Sequence, residues 1–184
     1  MDEPDLLRIA MDVPENELLL EKLPELNLPQ CYLTAGCLFQ PVWNIQAGQA
    51  PDWGIRDFDV FYFDDRDLSW GAEDQVIEQA CDLLGPLSSR VEIRNQARVH
   101  LWYEQRFGSP VTSLTSSKAG IDRFLIACTC VGVDIGSREV YAPNGLDDLE
   151  KGVLRRNPMA PAADLFGAKA QSYRDRWPWL TIAD

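Results

Sequence analysis

The chain is short of histidine, of basic residues and of long apolar runs. His100 is the single histidine among 184 residues. Zinc sites of the His-Glu-x-x-His kind and multi-histidine iron sites are therefore excluded. Lys and Arg number 17 against 29 Asp and Glu, a formal net charge of −12. So acidic a chain is a poor match for long nucleic acid gripped through a basic surface, and for anionic membranes. A nucleotide stays open, because divalent metal can carry the countercharge. No apolar run approaches the roughly 18 residues of a membrane helix. Asp2, Glu3 and Asp5 follow Met1 where a secretory signal would carry basic residues. Cysteine is also sparse: Cys31, Cys37, Cys81, Cys128 and Cys130 make an odd count. Cys128 and Cys130 are the only close pair, too few for a four-cysteine zinc site. We expect reduced thiols and a cytoplasmic protein.

What is present is an ordinary globular composition, 46% hydrophobic and 10% aromatic, enough to bury one core without staples. Residues 1–30 predict two short helices and a connector, an N-terminal helical segment packed on a domain covering 31–184. Within that domain the pattern predicts a strand at 31–36, a helix at 37–49 with Pro41 in or near its first turn, and a loop at 50–54. A β-prone run follows at 56–64, then a helix at 71–84 closed by Gly85-Pro86, and a strand at 88–94. Residues 98–107 and 118–125 read as short helices. Residues 126–135 and 138–142 read as strands joined at Gly136-Ser137, and 162–175 as a last helix. The expected fold class is α/β (α+β): one domain, with a mixed central sheet flanked by helices.

The informative stretch is Asp57-Phe58-Asp59. Alternation along a strand puts Phe58, Val60 and Tyr62 on one face and Asp57, Asp59, Phe61 and Phe63 on the other. A carboxylate between apolar neighbours is costly unless something pairs with it, and a second carboxylate beside it raises the cost. A pair of divalent ions relieves both, and alternate acids along a strand suit a two-metal centre. The bland alternative is a solvated strand start, with Arg56 neutralising one acid. Asp65 lies too far along the strand to join the pair, and Asp64 and Asp67 read as a solvated strand exit. Two further pieces are weaker. Thr34-Ala35-Gly36-Cys37 turns from strand to helix, where a glycine admits a ligand close to the backbone and free N–H groups can meet a phosphate. Glu92, between Val91 and Ile93, stands beside the aspartates if its strand pairs with theirs; Arg90 or Arg94 could equally hold it.

In order, these pieces resemble the nucleotidyltransferase superfamily with the DNA-polymerase-β-type fold, and more closely a bacterial family of nucleotidyltransferase-like proteins. The resemblance covers roughly 31–180. It rests on C-Y-L-T-A-G-C (31–37), V-W-N (42–44), I-R-D-F-D-V-F-Y-F-D (55–64), V-E-I-R-N-Q-A-R-V-H-L-W-Y (91–103), A-P-N-G-L-D-D-L (142–149), R-N-P (156–158) and R-W-P-W-L (176–180). It implies that Gly36 and the backbone of Cys37 hold a triphosphate. It implies that Asp57 and Asp59 ligate two Mg²⁺ (or Mn²⁺) ions, and that Glu92 ligates one ion and helps deprotonate an acceptor hydroxyl. The implied reaction transfers a nucleotidyl group from a nucleoside triphosphate to a small-molecule or protein hydroxyl, releasing pyrophosphate.

This sequence departs from the superfamily in two ways. Cys37 stands where Gly or Ser is usual, and the gap from Gly36 to Asp57 is long. These departures leave a second reading, an inactive nucleotide-binding or protein-interaction member of the same fold. A third reading is a thiol enzyme pairing Cys37 with His100. Asn95, Arg98, His100, Arg155 and Arg156 have no chemistry assigned from sequence.

Overall fold

The computed structural model describes residues 1–108, 110–161 and 163–183. The chain opens with helices α1 (Glu3–Met11) and α2 (Pro14–Lys22). Asp2 caps α1 in a reciprocal capping box with Asp5, and Pro14 starts α2 where its missing N–H costs nothing. Strand β1 (Tyr32–Thr34) leads into helix α3 (Gly36–Gln46), and strand β2 (Phe58–Tyr62) into helix α4 (Trp70–Leu84). Ser69 caps α4 by accepting from the Ala72 amide. Strand β3 (Val91–Asn95) follows, then a 3₁₀ stretch (Gln96–Leu101) and the short helices α5 (Tyr103–Phe107) and α6 (Ser117–Ile121). Strands β4 (Gly132–Asp134) and β5 (Val140–Tyr141) form the predicted hairpin. Helix α7 (Asp147–Lys151), strand β6 (Val153–Arg155), helix α8 (Phe166–Arg176) and strand β7 (Thr181–Ala183) complete the chain.

The main sheet has the order β3-β2-β1-β4-β5. It is mixed: β2 and β3 run parallel, and the other neighbours antiparallel. Its covered face presents Leu33, Phe58, Val60, Ile93 and Val133 to one continuous core, which includes Leu6 and Leu19 of the N-terminal helices and Phe39 and Trp43 of α3. The other face carries Tyr32 and Phe61, packed with Ile121 and Phe124 from the α6 region.

Several boundaries differ from the sequence expectation. Residues 126–131 are not strand: Ala127–Thr129 is a 3₁₀ turn, so Cys128 and Cys130 do not lie on a strand. Residues 85–90 wind as 3₁₀ before β3 begins at Val91. The region 98–107 splits at Trp102, and α6 ends at Ile121. Within the expected last helix, residue 162 lies outside the described residues and α8 begins at Phe166.

Pro41 sits in the middle of α3, not in its first turn. A proline there cannot bond the carbonyl four residues back, which is that of Cys37. The Asn16 side chain takes its place: Nδ2 donates to the Cys37 carbonyl at 2.8 Å and to the Ala10 carbonyl at 2.8 Å. The N-terminal helices are thus tied to the turn of α3 that begins the candidate site.

Candidate functional site

Asp59 is the residue around which the site is built. It is the second residue of β2, with Thr34 of β1 opposite it on one side and Glu92 of β3 on the other. Asp57 lies just ahead of β2 and is exposed. The sheet register therefore places Asp59 and Glu92 side by side, with Asp57 two residues ahead of Asp59 on the chain. Burial pushes the Asp59 carboxyl up to about 7, and the negative charges of Asp57 and then Glu92 push the same way; Lys169 and Arg94 oppose them. Glu92 is exposed, and its carboxylate stands 3.9 Å from the Arg94 guanidinium. Among the described residues no three Asp, Glu, His or Cys side chains already form a closed metal-binding group.

Asp59 opens into a cleft of about 410 Å³. Ala35 and Phe39 form the wall nearest α3, and Lys169 and Tyr173 of α8 and Arg123 line other walls. Phe39, Trp43, Tyr173 and Trp177 pack edge-on behind it, which fixes α8 against α3. Sequence reading missed Arg123, Lys169 and Tyr173. They come from segments far along the chain, and no local pattern links them to the acids.

The β1–α3 turn is unusual. Ala35, the residue before the helix, has φ 63° and ψ −138°, a conformation that normally belongs to glycine. Its methyl group cannot cap the helix, so the first amides of α3, at Gly36 and Cys37, begin the helix without a side-chain acceptor. A Cβ on Gly36 would stand 2.4 Å from the side-chain amide nitrogen of Gln40, so that side chain would have to shift to admit one.

Cys37 does not face the cleft. Its thiol is fully buried, donates to the Thr34 carbonyl at 3.2 Å, and is pushed well above the ordinary thiol value by that burial. A nucleophilic thiol needs the opposite shift. His100 makes no bond to it, and His100 Nδ1 is itself buried without a hydrogen-bond partner. The thiol-enzyme expectation is therefore overturned, and Cys37 offers only its backbone.

The remaining motifs are structural. Arg98 forms a buried ion pair with Glu73 of α4, and its Nε donates to the Leu68 carbonyl. Glu73 also accepts from the Asn95 amide, while Asn95 Oδ1 accepts from the amides of Asp64 and Ala97. Together they lock the end of β3 to α4. Asn44 accepts from the Trp177 indole and donates to the carbonyls of Pro51 and Trp53, joining V-W-N to R-W-P-W-L and ordering the long 47–57 connection. Asn157 donates to the carbonyls of Asp122 and Phe124, bracketing Arg123. Arg155 pairs with Asp148 at 2.9 Å.

Comparison with known proteins agrees with this architecture. A family model described as nucleotidyltransferase matches residues 21–182. The chain belongs to that nucleotidyltransferase family. No curated protein matches it. Among solved structures, one described as revealing a CCA-adding enzyme head domain aligns over 100% of this chain and 96% of its own, with a TM-score of 0.79 and 22% identity. The Thermotoga maritima CCA-adding enzyme complexed with tRNA aligns at TM-score 0.57 and 16% identity, and a CCA-adding enzyme complexed with CTP at 0.58 and 16%. This nucleotidyltransferase chain spans all of its own length in those two matches but only 43% and 44% of theirs. At such identities the likeness establishes the fold. Among the described residues no helix is long and apolar enough to cross a membrane.

Proposed function

We propose that the cleft binds a nucleoside triphosphate and transfers its nucleotidyl group to a hydroxyl acceptor, releasing pyrophosphate. The observation that carries this reading is the placement of Asp59. A half-buried carboxylate shares one cleft with an uncapped helix start and two cations, Lys169 and Arg123. Acid and anion-binding groups in one pocket suit a ligand that brings both phosphates and metal.

The donor set fits a hard divalent cation, since Asp57, Asp59 and Glu92 offer only oxygen. Asp57 and Asp59 would hold Mg²⁺ or Mn²⁺, two ions per site, with Glu92 as a further ligand. When bound, these ions supply neutralisation of charge on the phosphoryl oxygens. The amides of Gly36 and Cys37 would receive the triphosphate, and Lys169 and Arg123 would pair with its outer oxygens. Glu92 would accept the proton of the attacking hydroxyl. A new bond forms between that oxygen and the α-phosphorus, and the bond to the β-phosphate oxygen breaks, its electron pair leaving with pyrophosphate.

Structural neighbours are described as complexes with CTP and with ATP, which supports a triphosphate donor here. The acceptor we propose is a small-molecule or protein hydroxyl. The net charge of −12 argues against a long nucleic acid. We place the protein in the cytoplasm on the strength of its free thiols.

The test is pyrophosphate release from each of the four ribonucleoside triphosphates with Mg²⁺ or Mn²⁺, with and without hydroxyl acceptors. Acceptor-dependent release supports the reading. A second reading is an inactive nucleotide-binding or protein-interaction member, motivated by Cys37, whose buried thiol leaves only its backbone to the site. Metal-dependent nucleotide binding with no release across the panel would establish it instead.

A further inference from the structure

A second chamber, of about 250 Å³, adjoins the first. The two share Tyr103, Arg123 and Phe124 as a common wall. Phe61, Val99, Leu114 and Phe124 make most of its lining apolar, and Arg94 and Arg123 are its charged groups. None of the described residues lining it is acidic, although the chain as a whole is strongly so.

Its position follows from strand register. Thr34 pairs with Asp59 and Tyr32 with Phe61 in antiparallel sense. The chain therefore leaves β1 toward Gly36 in the direction of Asp57, and the start of α3 lies off that end of β2. Phe61 lies the other way, two residues beyond Asp59 on the same face, roughly 7 Å along the strand. Across on β3, Arg94 sits opposite Phe61 as Glu92 sits opposite Asp59. The acids thus stand between a helix start suited to phosphates and an apolar chamber with two guanidinium groups. In-line displacement needs this order: leaving group on one side, attacking oxygen on the other.

We propose that this chamber is the acceptor subsite, and that it takes a small hydroxyl compound with an apolar ring and an anionic group. The proposal rests on the nucleotidyl-transfer reading of the larger cleft and names its acceptor class. At about 250 Å³ the chamber is below the roughly 300–1,000 Å³ of a drug-sized ligand site, which limits the body to about one ring. The largely apolar walls favour a ring that carries few hydroxyls as that body. Arg94 is the anion anchor, since its side chain is 41% exposed and only loosely engaged by Glu92. Arg123 is fixed at the shared wall by donating to the Thr112 carbonyl and hydroxyl, both at 3.1 Å. The ring packs against Phe61 and Phe124, already edge to face at 5.8 Å.

The test measures binding to the full chain by ligand-observed NMR, with Mg²⁺-nucleotide affinity measured separately. The probes are para-hydroxyphenylacetate, para-hydroxybenzylphosphonate, the neutral para-hydroxyphenylacetamide and a single-stranded RNA trinucleotide. We expect the two anions to bind and the amide to bind about fivefold more weakly. Arg94→Gln removes that preference, and Val111→Trp, which fills the chamber from a partly exposed loop position, weakens both anions. Val111→Trp keeps wild-type nucleotide affinity. A preference for carboxylate over phosphonate, or the reverse, identifies which anion the site takes. Equal binding of anion and amide, or no binding of either anion, overturns the proposal. Trinucleotide binding blocked by Val111→Trp overturns it in favour of an RNA end, and loss of nucleotide affinity in Val111→Trp in favour of a nucleobase. Nucleotide that fails to bind wild-type protein contradicts the larger cleft's reading, whatever the probes do.

Discussion

Asn16 on α2 supplies Cys37 on α3 with the hydrogen bond that Pro41 removes from the helix, at 2.8 Å. A side chain from the N-terminal helices therefore completes the first turns of the helix that begins the candidate phosphate site. Asn16→Ala leaves two buried carbonyls, of Ala10 and Cys37, without that donor. The Ala10 carbonyl keeps the Val13 amide, so the expected loss is about 1–3 kcal/mol of stability, read from denaturant unfolding. Pro41→Ala restores a backbone donor to Cys37, so Asn16→Ala costs less in that background. Equal costs in both backgrounds would show that the two donors are not alternatives.

The strained turn beside it gives a second prediction. Ala35 holds a backbone conformation that favours glycine. Ala35→Gly relieves that strain, of order 1–3 kcal/mol, and gives back part of the gain through the freer unfolded chain. The net expectation is a raised melting temperature. A lowered one would mean that the methyl group's packing outweighs the backbone cost.

The buried pair of Glu73 and Arg98 gives a third. Both side chains are at most 3% exposed. Arg98→Met leaves the Glu73 carboxylate buried without its cation, at an expected cost of about 3–5 kcal/mol. Replacing both, Glu73→Gln with Arg98→Met, costs less than the single change. Circular dichroism melts distinguish the outcomes, and an additive double variant would contradict the account.

How much of this was legible in the sequence differs by residue. The alternation from Phe58 to Tyr62 survives in β2, because burial on the covered face dictates it, while Asp57 falls just ahead of the strand. The place of Glu92 beside Asp59 was conditional in the sequence on the two strands being neighbours, which the parallel pairing of β2 and β3 makes them. Pro41 was misplaced because its rescue comes from Asn16, 21 residues earlier, and no local pattern announces such a bond. Asn44, Arg98 and Asn157 hold the backbone around the site through long-range bonds, so their residue types alone could not assign them. Lys169 and Arg123 reach the cleft by tertiary packing of segments with little periodicity, and only coordinates show them converging with Asp59.

Asp59 makes a prediction about pH. In the folded, metal-free protein its carboxyl is raised from 3.8 to about 7, chiefly by burial. Between those values the folded state holds a proton that the unfolded state has released. Stability from this group is therefore full below about pH 4, falls as pH rises, and is lost above about pH 7. Asp59→Asn flattens the profile across that window and stabilises the metal-free protein at neutral pH. A wild-type profile already flat across the window would contradict the raised carboxyl.

The most direct measurement of the central claim is calorimetric titration of nucleoside triphosphate into wild-type protein, Asp57→Asn and Asp59→Asn, each with Mg²⁺ and with a chelator. The account predicts binding to wild-type protein that disappears with the chelator and in both variants, while both variants remain folded. Binding of equal strength in all three proteins, untouched by the chelator, would contradict it.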